Sequence, residues 1–163
     1  MEQNLGLPQR YFDVVYSIYA IGWTVDLETT FSLISSYLKS GSVFIFSWDH
    51  PFLHCVEAKN EQLIFSVSYH ESEPFTFSRS GAGKGVGRSP VEFEEGGNPL
   101  TLYNHRLSDY INALASSGFA VERIIEETDK DTLERSSDFS SEYYAPCKAK
   151  HFPLSLIVKA RKL

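Results

Sequence analysis

The residues of this 163-residue chain that could carry chemistry fall in a few short clusters. The stretch Ser47-Trp48-Asp49-His50-Pro51 sets a carboxylate beside an imidazole at the end of an apolar run. Both groups can bind a substrate or accept its proton, and open α/β sheets bind ligands at the carboxyl edge of their strands. The plainer alternative is that Asp49 caps the turn before Pro51 and His50 only orders the loop. Tyr19 and Trp23 follow a second apolar run, and their rings can face a cation or pack a core. Tyr103 and His105 precede an amphipathic segment, where loop residues can line a ligand.

Other clusters fail on spacing. The glycines of "SRSGAGKGVGRSP", Gly81, Gly83, Gly85 and Gly87, do not make a phosphate loop: Lys84 is followed by Gly85, and Pro90 stops a helix from opening. Val86 stands where a dinucleotide turn needs its third glycine, so the segment reads as a surface loop. His50, His54, Cys55, Cys147 and His151 lack metal-site spacing, and no metal is expected. Two cysteines give no disulfide framework, Cys55 reads as inert, and there is no nucleophile elbow.

The elements that hold these groups are legible in part. Tyr11 to Ile18 is rich in Val, Ile, Tyr and Phe and reads as a strand buried on both faces. "DLETTFSLISSYLKSG" reads as a helix. Asp26 caps it, Glu28 lies in its first turn, Leu27, Phe31, Ile34 and Leu38 share a face, Lys39 is in the last turn, and Gly41 ends it. "SVFIFSW" is a second strand buried on both sides, so strand, helix and strand imply a right-handed crossover and parallel pairing. "EQLIFSVSYHE" reads as a strand, and "VEFEEGG" and "PLTLYNH" as short strands of a hairpin-like insertion. "RLSDYINALASSGF" is a helix capped by Ser108, with Asp109 in its first turn and Gly118 at its end. "FAVERIIEE" and "FPLSLIVKARKL" are strands, and the segment between them reads as a polar connection with room for a helical turn.

Composition narrows the partners. Net charge is −6 and the isoelectric point near 5.3, against nucleic acid or an anionic membrane as the main partner. No apolar run approaches a membrane span, and "MEQNLGLPQR" lacks the basic start and apolar centre of a signal peptide. A cytoplasmic location is the default.

The order of elements carries a resemblance. "FDVVYSIYAIGW", "YLKSGSVFIFSWDHP", "HRLSDYINALASSGFAVERIIEE" and "FPLSLIVKARK" resemble the fourth strand, fifth strand, last helix with sixth strand, and antiparallel seventh strand of class I S-adenosylmethionine-dependent methyltransferases, within the ubiquinone- and menaquinone-synthesis-like group. Tyr37-Leu38-Lys39-Ser40-Gly41 resembles a signature of that family, with Ser40 where glycine or proline is usual. The resemblance implies an α/β fold with an incomplete Rossmann-like sheet, one partial domain over residues 1–163, and an insertion at about 55–104. It implies S-adenosylmethionine as cofactor, contacted by Ser17, Ile18, Tyr19 and Trp23. Asp49 and His50 become the catalytic candidates, and Tyr103 and His105 line the side of a small-molecule methyl acceptor. In relatives a carboxylate just before the fourth strand touches the adenine, and Glu2 is the candidate here.

The glycine-rich first strand and the acidic end of the second, which hold most of the cofactor in that family, have no counterpart. Tyr11–Ile18 would then lie at a sheet edge, a template for another strand. Three situations follow: pairing with a separately encoded amino-terminal half, self-association, or a truncated or interrupted gene. The isolated chain is expected to be a poor methyltransferase or none, with a non-catalytic interaction protein as the competing class.

Overall fold

The computed structural model describes residues 2–78, 99–135, 137, 139 and 143–163. The chain divides into two compact units. One comprises the residues up to Asp49, His105–Glu126 and Ser155–Leu163, and the other His50–Asn104 and Glu127–Leu154.

The first unit is built on a strand–helix–strand crossover. β1 (Phe12–Ile18) leads through a short 3₁₀ turn, Ile21–Trp23, into α1 (Leu27–Tyr37), which returns as β2 (Leu38–Asp49) parallel to β1. α2 (Leu107–Ser116), β7 (Phe119–Ile125) and β8 (Ser155–Lys162) complete the unit. The strand order is β1-β2-β8-β7, with β8 antiparallel to both neighbours. This is the reversed last strand that the sequence resemblance implies.

Phe44, Phe46 and Trp48 alternate along β2 and face the helices. Phe31 of α1 lies with its ring centroid 5.5 Å from that of Phe44 and 5.7 Å from that of Phe46. Tyr110 of α2 meets Phe46 at 5.6 Å, so both helices cover one face of the sheet. Burying each of these rings contributes about 1.5–3 kcal/mol. The other face holds Val14, Tyr16 and Ile18 of β1, in register with Val43, Ile45 and Ser47. Here the structure departs from the doubly buried pattern. Val14, Tyr16 and Ile18 are 54 %, 71 % and 70 % exposed, and Ile157 of β8 lies open beside them. β1 is also the edge of the sheet, so its outer backbone groups lack a strand partner among the described residues.

Two helix boundaries differ from the sequence reading. The N-cap of α1 is as read, with the Asp26 carboxylate accepting from Thr29 N at 2.9 Å. The helix ends at Tyr37, however, and Lys39 and Gly41 belong to β2. The chain entering β1 takes the last carbonyls, with Arg10 N donating to Ser36 O and Tyr11 N to Tyr37 O, both at 2.9 Å. The last-turn cation is Lys162 of β8, which donates to Leu38 O at 2.8 Å and to Ser35 O. Lys39 instead pairs with Asp13 of β1 at 2.8 Å. Gly41 does adopt a left-handed φ of +79°, inside β2 and at the irregularity in the β1–β2 register. In α2 the cap is Arg106, not Ser108: Asp109 accepts from Arg106 N at 2.8 Å and holds the guanidinium at 2.9 Å. Gly118 ends the helix at φ +78°, as read.

The second unit opens with a 3₁₀ turn, Pro51–Cys55, followed by a hairpin of β3 (Val56–Lys59) and β4 (Gln62–Phe65). β5 (Phe75–Ser78) pairs antiparallel with β6 (Pro99–Leu102). α3 (Lys130–Glu134) and α4 (Pro146–Ala149) are short. The strand read through "EQLIFSVSYHE" is only β4, because the chain turns at Ser68, whose carbonyl accepts from Glu71 N at 3.0 Å. The glycine loop and "VEFEEGG" lie outside the described residues. Among those residues no helix is long and apolar enough to cross a membrane.

Candidate functional site

The carboxyl ends of β1 and β2 bring together more of the singled-out residues than any other place in the first unit. Ser17 and Ile18 end β1. The Ser17 hydroxyl oxygen is buried without a hydrogen-bond partner among the described residues, while the Ile18 side chain is open. Tyr19 turns the chain with a left-handed φ of +47°, unusual for a residue with a side chain, and its N–H donates to Ser47 O of β2 at 3.1 Å.

Three aromatic rings gather there. Trp48 is buried, at 4 % exposure, on the helix-covered face of β2. Trp23 meets it edge-on at 5.7 Å and Tyr19 is tilted against it at 6.1 Å. Tyr19 and Trp23 both keep a part-exposed face. Trp48 lies so close over Gly22 that a Cβ there would fall 1.8 Å from Cε2 of the indole. The sequence reading took Trp48 only as a strand residue. The signal that could have found it is Gly22, one position before Trp23 and without a side chain.

Asp49 ends β2, nearly fully buried and in register with Ser155 of β8. Below it Tyr110 of α2 is also buried. Burial raises the pKa of its hydroxyl well above the usual tyrosine range, and the negative charges of Asp49 and Asp109 add to this. His105, at the entry to α2, hydrogen-bonds through Nε2 to the buried Thr24 carbonyl at 2.6 Å, and so donates there. Its ring meets Tyr110 edge-on at 5.6 Å. The aromatic trio, Asp49, Tyr110 and His105 therefore belong to one unit. Glu2 lies there too, but its carboxylate accepts from Val25 N at 2.7 Å and from Asp26 N at 3.2 Å, so it braces the loop before α1.

His50 and Tyr103 belong to the second unit. The His50 ring accepts at Nδ1 from Phe52 N at 3.3 Å and caps the Pro51–Cys55 turn, while the His50 backbone N–H donates to Leu154 O at 3.0 Å. It is buried and stacked on Phe52 at 5.5 Å. Accepting at Nδ1 fixes the neutral tautomer with its proton on Nε2. Tyr103 is half-buried after β6. Of the proposed metal-like set, His54 bonds the Tyr143 hydroxyl at 2.7 Å and the Cys55 thiol points to Pro51 O at 3.5 Å.

No family model matches the chain. A protein of Haemophilus influenzae without an assigned function is 25 % identical over 171 aligned positions, covering the whole chain and 59 % of that protein. Among solved structures, an S-adenosylmethionine-dependent methyltransferase from Mesorhizobium loti superimposes with a TM-score of 0.68 at 23 % identity, over 96 % of this chain and 64 % of its own. The Haloferax volcanii protein bound to the Trm112 methyltransferase activator superimposes at 0.58 and 16 % identity, over 98 % of this chain and 58 % of its own. The fold is the Rossmann-like α/β sheet of S-adenosylmethionine-dependent methyltransferases. The chain spans roughly three-fifths of the length of these relatives.

Proposed function

We propose that the chain is the acceptor-side, carboxyl-terminal part of an S-adenosylmethionine-dependent methyltransferase. The glycine-rich and acidic strands that grip the cofactor would come from outside these residues, as further chain or as a separate subunit. The observation that carries this reading is the open β1: an edge strand of a methyltransferase-type sheet whose Val14, Tyr16 and Ile18 side chains are exposed. Parallel strands of this fold are normally covered on both faces, so a surface of this kind calls for a partner.

Within that reading, the ends of β1 and β2 take the methionine end of the cofactor. The sulfonium would sit against the part-exposed faces of Tyr19 and Trp23, held in place by Trp48. Ser17 offers its buried hydroxyl, without a partner among the described residues, and Ile18 an apolar flank. Asp49 is the group that would accept the proton of the methyl acceptor. His105, tied to Thr24 O, positions the entry to α2 on the acceptor side. The His50 imidazole, with Nδ1 engaged at its own turn, supports the loop, and Tyr103 remains an acceptor-side candidate. The sulfonium methyl is already reactive, so the work of such a site is alignment. A part of the scaffold would supply little of it.

The test is calorimetric titration with S-adenosylhomocysteine. The chain alone should show no binding in the micromolar range. It should gain binding when co-expressed with the portion of the Haemophilus influenzae relative that it does not cover, and Trp23→Ala should weaken that binding. Micromolar binding by the chain alone would overturn the division of the site. Stable complex formation through β1 without cofactor binding would favour the non-catalytic interaction protein, which the same open edge supports.

A further inference from the structure

The second unit contains a cavity of about 630 Å³ that the reading above does not use. Its walls are phenyl rings: Phe52 from the 3₁₀ turn, Phe65 from β4, Phe139, and Phe152 after α4, with Val56 and Leu63 also lining it. This is the size and composition of a small-molecule site, which falls in the range of roughly 300–1,000 Å³ with a few polar groups among apolar ones. The polar groups here are Glu61, Gln62 and His151.

Two features make it a formed site. Phe52 is held by two ring contacts, with the His50 ring stacked 5.5 Å away at 15° and the Tyr69 ring 4.8 Å away at 29°. The platform is therefore fixed before any ligand arrives, which lowers the entropy lost on binding. Glu61 is held at φ +58° in the two-residue turn between β3 and β4, beside Asn60 at +51°. Asparagine suits that conformation and glycine would suit the second position, so a glutamate there sits at a local cost. Glu61 is among the residues lining the cavity, and its carboxylate, when ionised, can only accept hydrogen bonds.

We infer that this cavity binds a flat, apolar aromatic small molecule bearing a hydrogen-bond donor such as an aryl amine N–H. The rings stack on or edge against the phenyl walls, and the donor bonds the Glu61 carboxylate. The inference stands apart from the methyl-transfer reading, because the site is complete within one unit and its test needs no sulfonium donor.

The test uses N-phenyl-1-naphthylamine, whose fluorescence rises in apolar surroundings, titrated into the full chain. Saturable binding at one molecule per chain is expected. Phe52→Ala should weaken it about tenfold or more, the loss of one aromatic wall of the site. Glu61→Gln should weaken it severalfold, and Glu61→Gly should do so while raising the melting temperature. Tyr16→Lys, on the open face of the other unit, should leave it unchanged. Binding of several probes per chain, or binding lost in Tyr16→Lys, would assign the signal to the exposed β1 face and overturn the inference. No saturable signal, or full affinity in Phe52→Ala, would overturn it equally. Far-ultraviolet circular dichroism of each variant shows that the fold is kept, and Phe52→Leu, which retains the volume without the ring, gives a second measure should Phe52→Ala unfold.

Discussion

At the residue scale the candidate site depends on one close approach. Gly22 lies under the Trp48 indole, and a methyl group there would overlap it at 1.8 Å. Trp48 is buried between its neighbours and cannot swing away cheaply. Gly22→Ala should therefore cost about 1–3 kcal/mol, the usual penalty for overpacking a filled core. Urea denaturation should register that loss, and the tryptophan emission should shift as Trp48 and Trp23 part. An unchanged midpoint would mean that the indole is looser than it lies here. Sequence alone could nominate Tyr19 and Trp23, because aromatics after a strand stand out. Trp48 is harder to nominate, because a tryptophan within an apolar run looks like any core residue unless the bare Gly22 before Trp23 is weighed with it. The Asp49–His50 pair shows the opposite limit. The two residues are adjacent in the chain, yet one ends a strand of the sheet while the other caps the next turn.

At the scale of elements, the crossover β1–α1–β2 and the antiparallel β8 could be read from apolar runs, the Asp26 cap and the order of segments. What could not be read was the end of α1, because it is decided by partners distant in sequence. Arg10, Tyr11 and Lys162 take the carbonyls that Lys39 and Gly41 were read as finishing. The β7–β8 ladder carries a comparable cross-strand feature. Glu122 is held by Arg161 and by Lys159 at 2.8 Å, and these hydrogen bonds lower its pKa to about 2 from an ordinary 4.5. A carboxyl with a depressed folded pKa adds stability above its unfolded value, and loses it as pH falls through the folded one. Its contribution should therefore be full at neutral pH and fade between about 4.5 and about 2. Asp26, lowered first by the Thr29 hydroxyl and then by the Thr29 N–H, should act in the same direction. Melting temperatures of Glu122→Gln and of the parent chain, compared across that range, should differ at pH 7 and converge at the acid end. A difference that stays constant with pH would show that the ion pairs contribute nothing through titration. Both groups are solvent-facing, so the effect should shrink in high salt.

At the scale of the whole molecule, the open β1 determines behaviour in solution. An edge strand with no strand partner on its outer side among the described residues, and with exposed Val14, Tyr16 and Ile18, is a template for pairing, and few charges guard it: Asp13 is already engaged by Lys39. Without a companion, the chain should self-associate with rising concentration, and sedimentation velocity should show the weight-average mass climbing from the monomer value of 18.5 kDa. Tyr16→Lys and Ile18→Lys place like charges on that strand and should hold the chain monomeric. They should leave its melting temperature close to that of the parent, because neither side chain is in the core. A companion segment that supplies the neighbouring strand should have the same effect as the lysines, by occupying the edge. If the parent chain stays monomeric at high concentration with β1 still accessible to rapid amide hydrogen exchange, the edge is guarded by its own twist and backbone hydration, and pairing through β1 fails both as a route to a complete site and as an interaction surface.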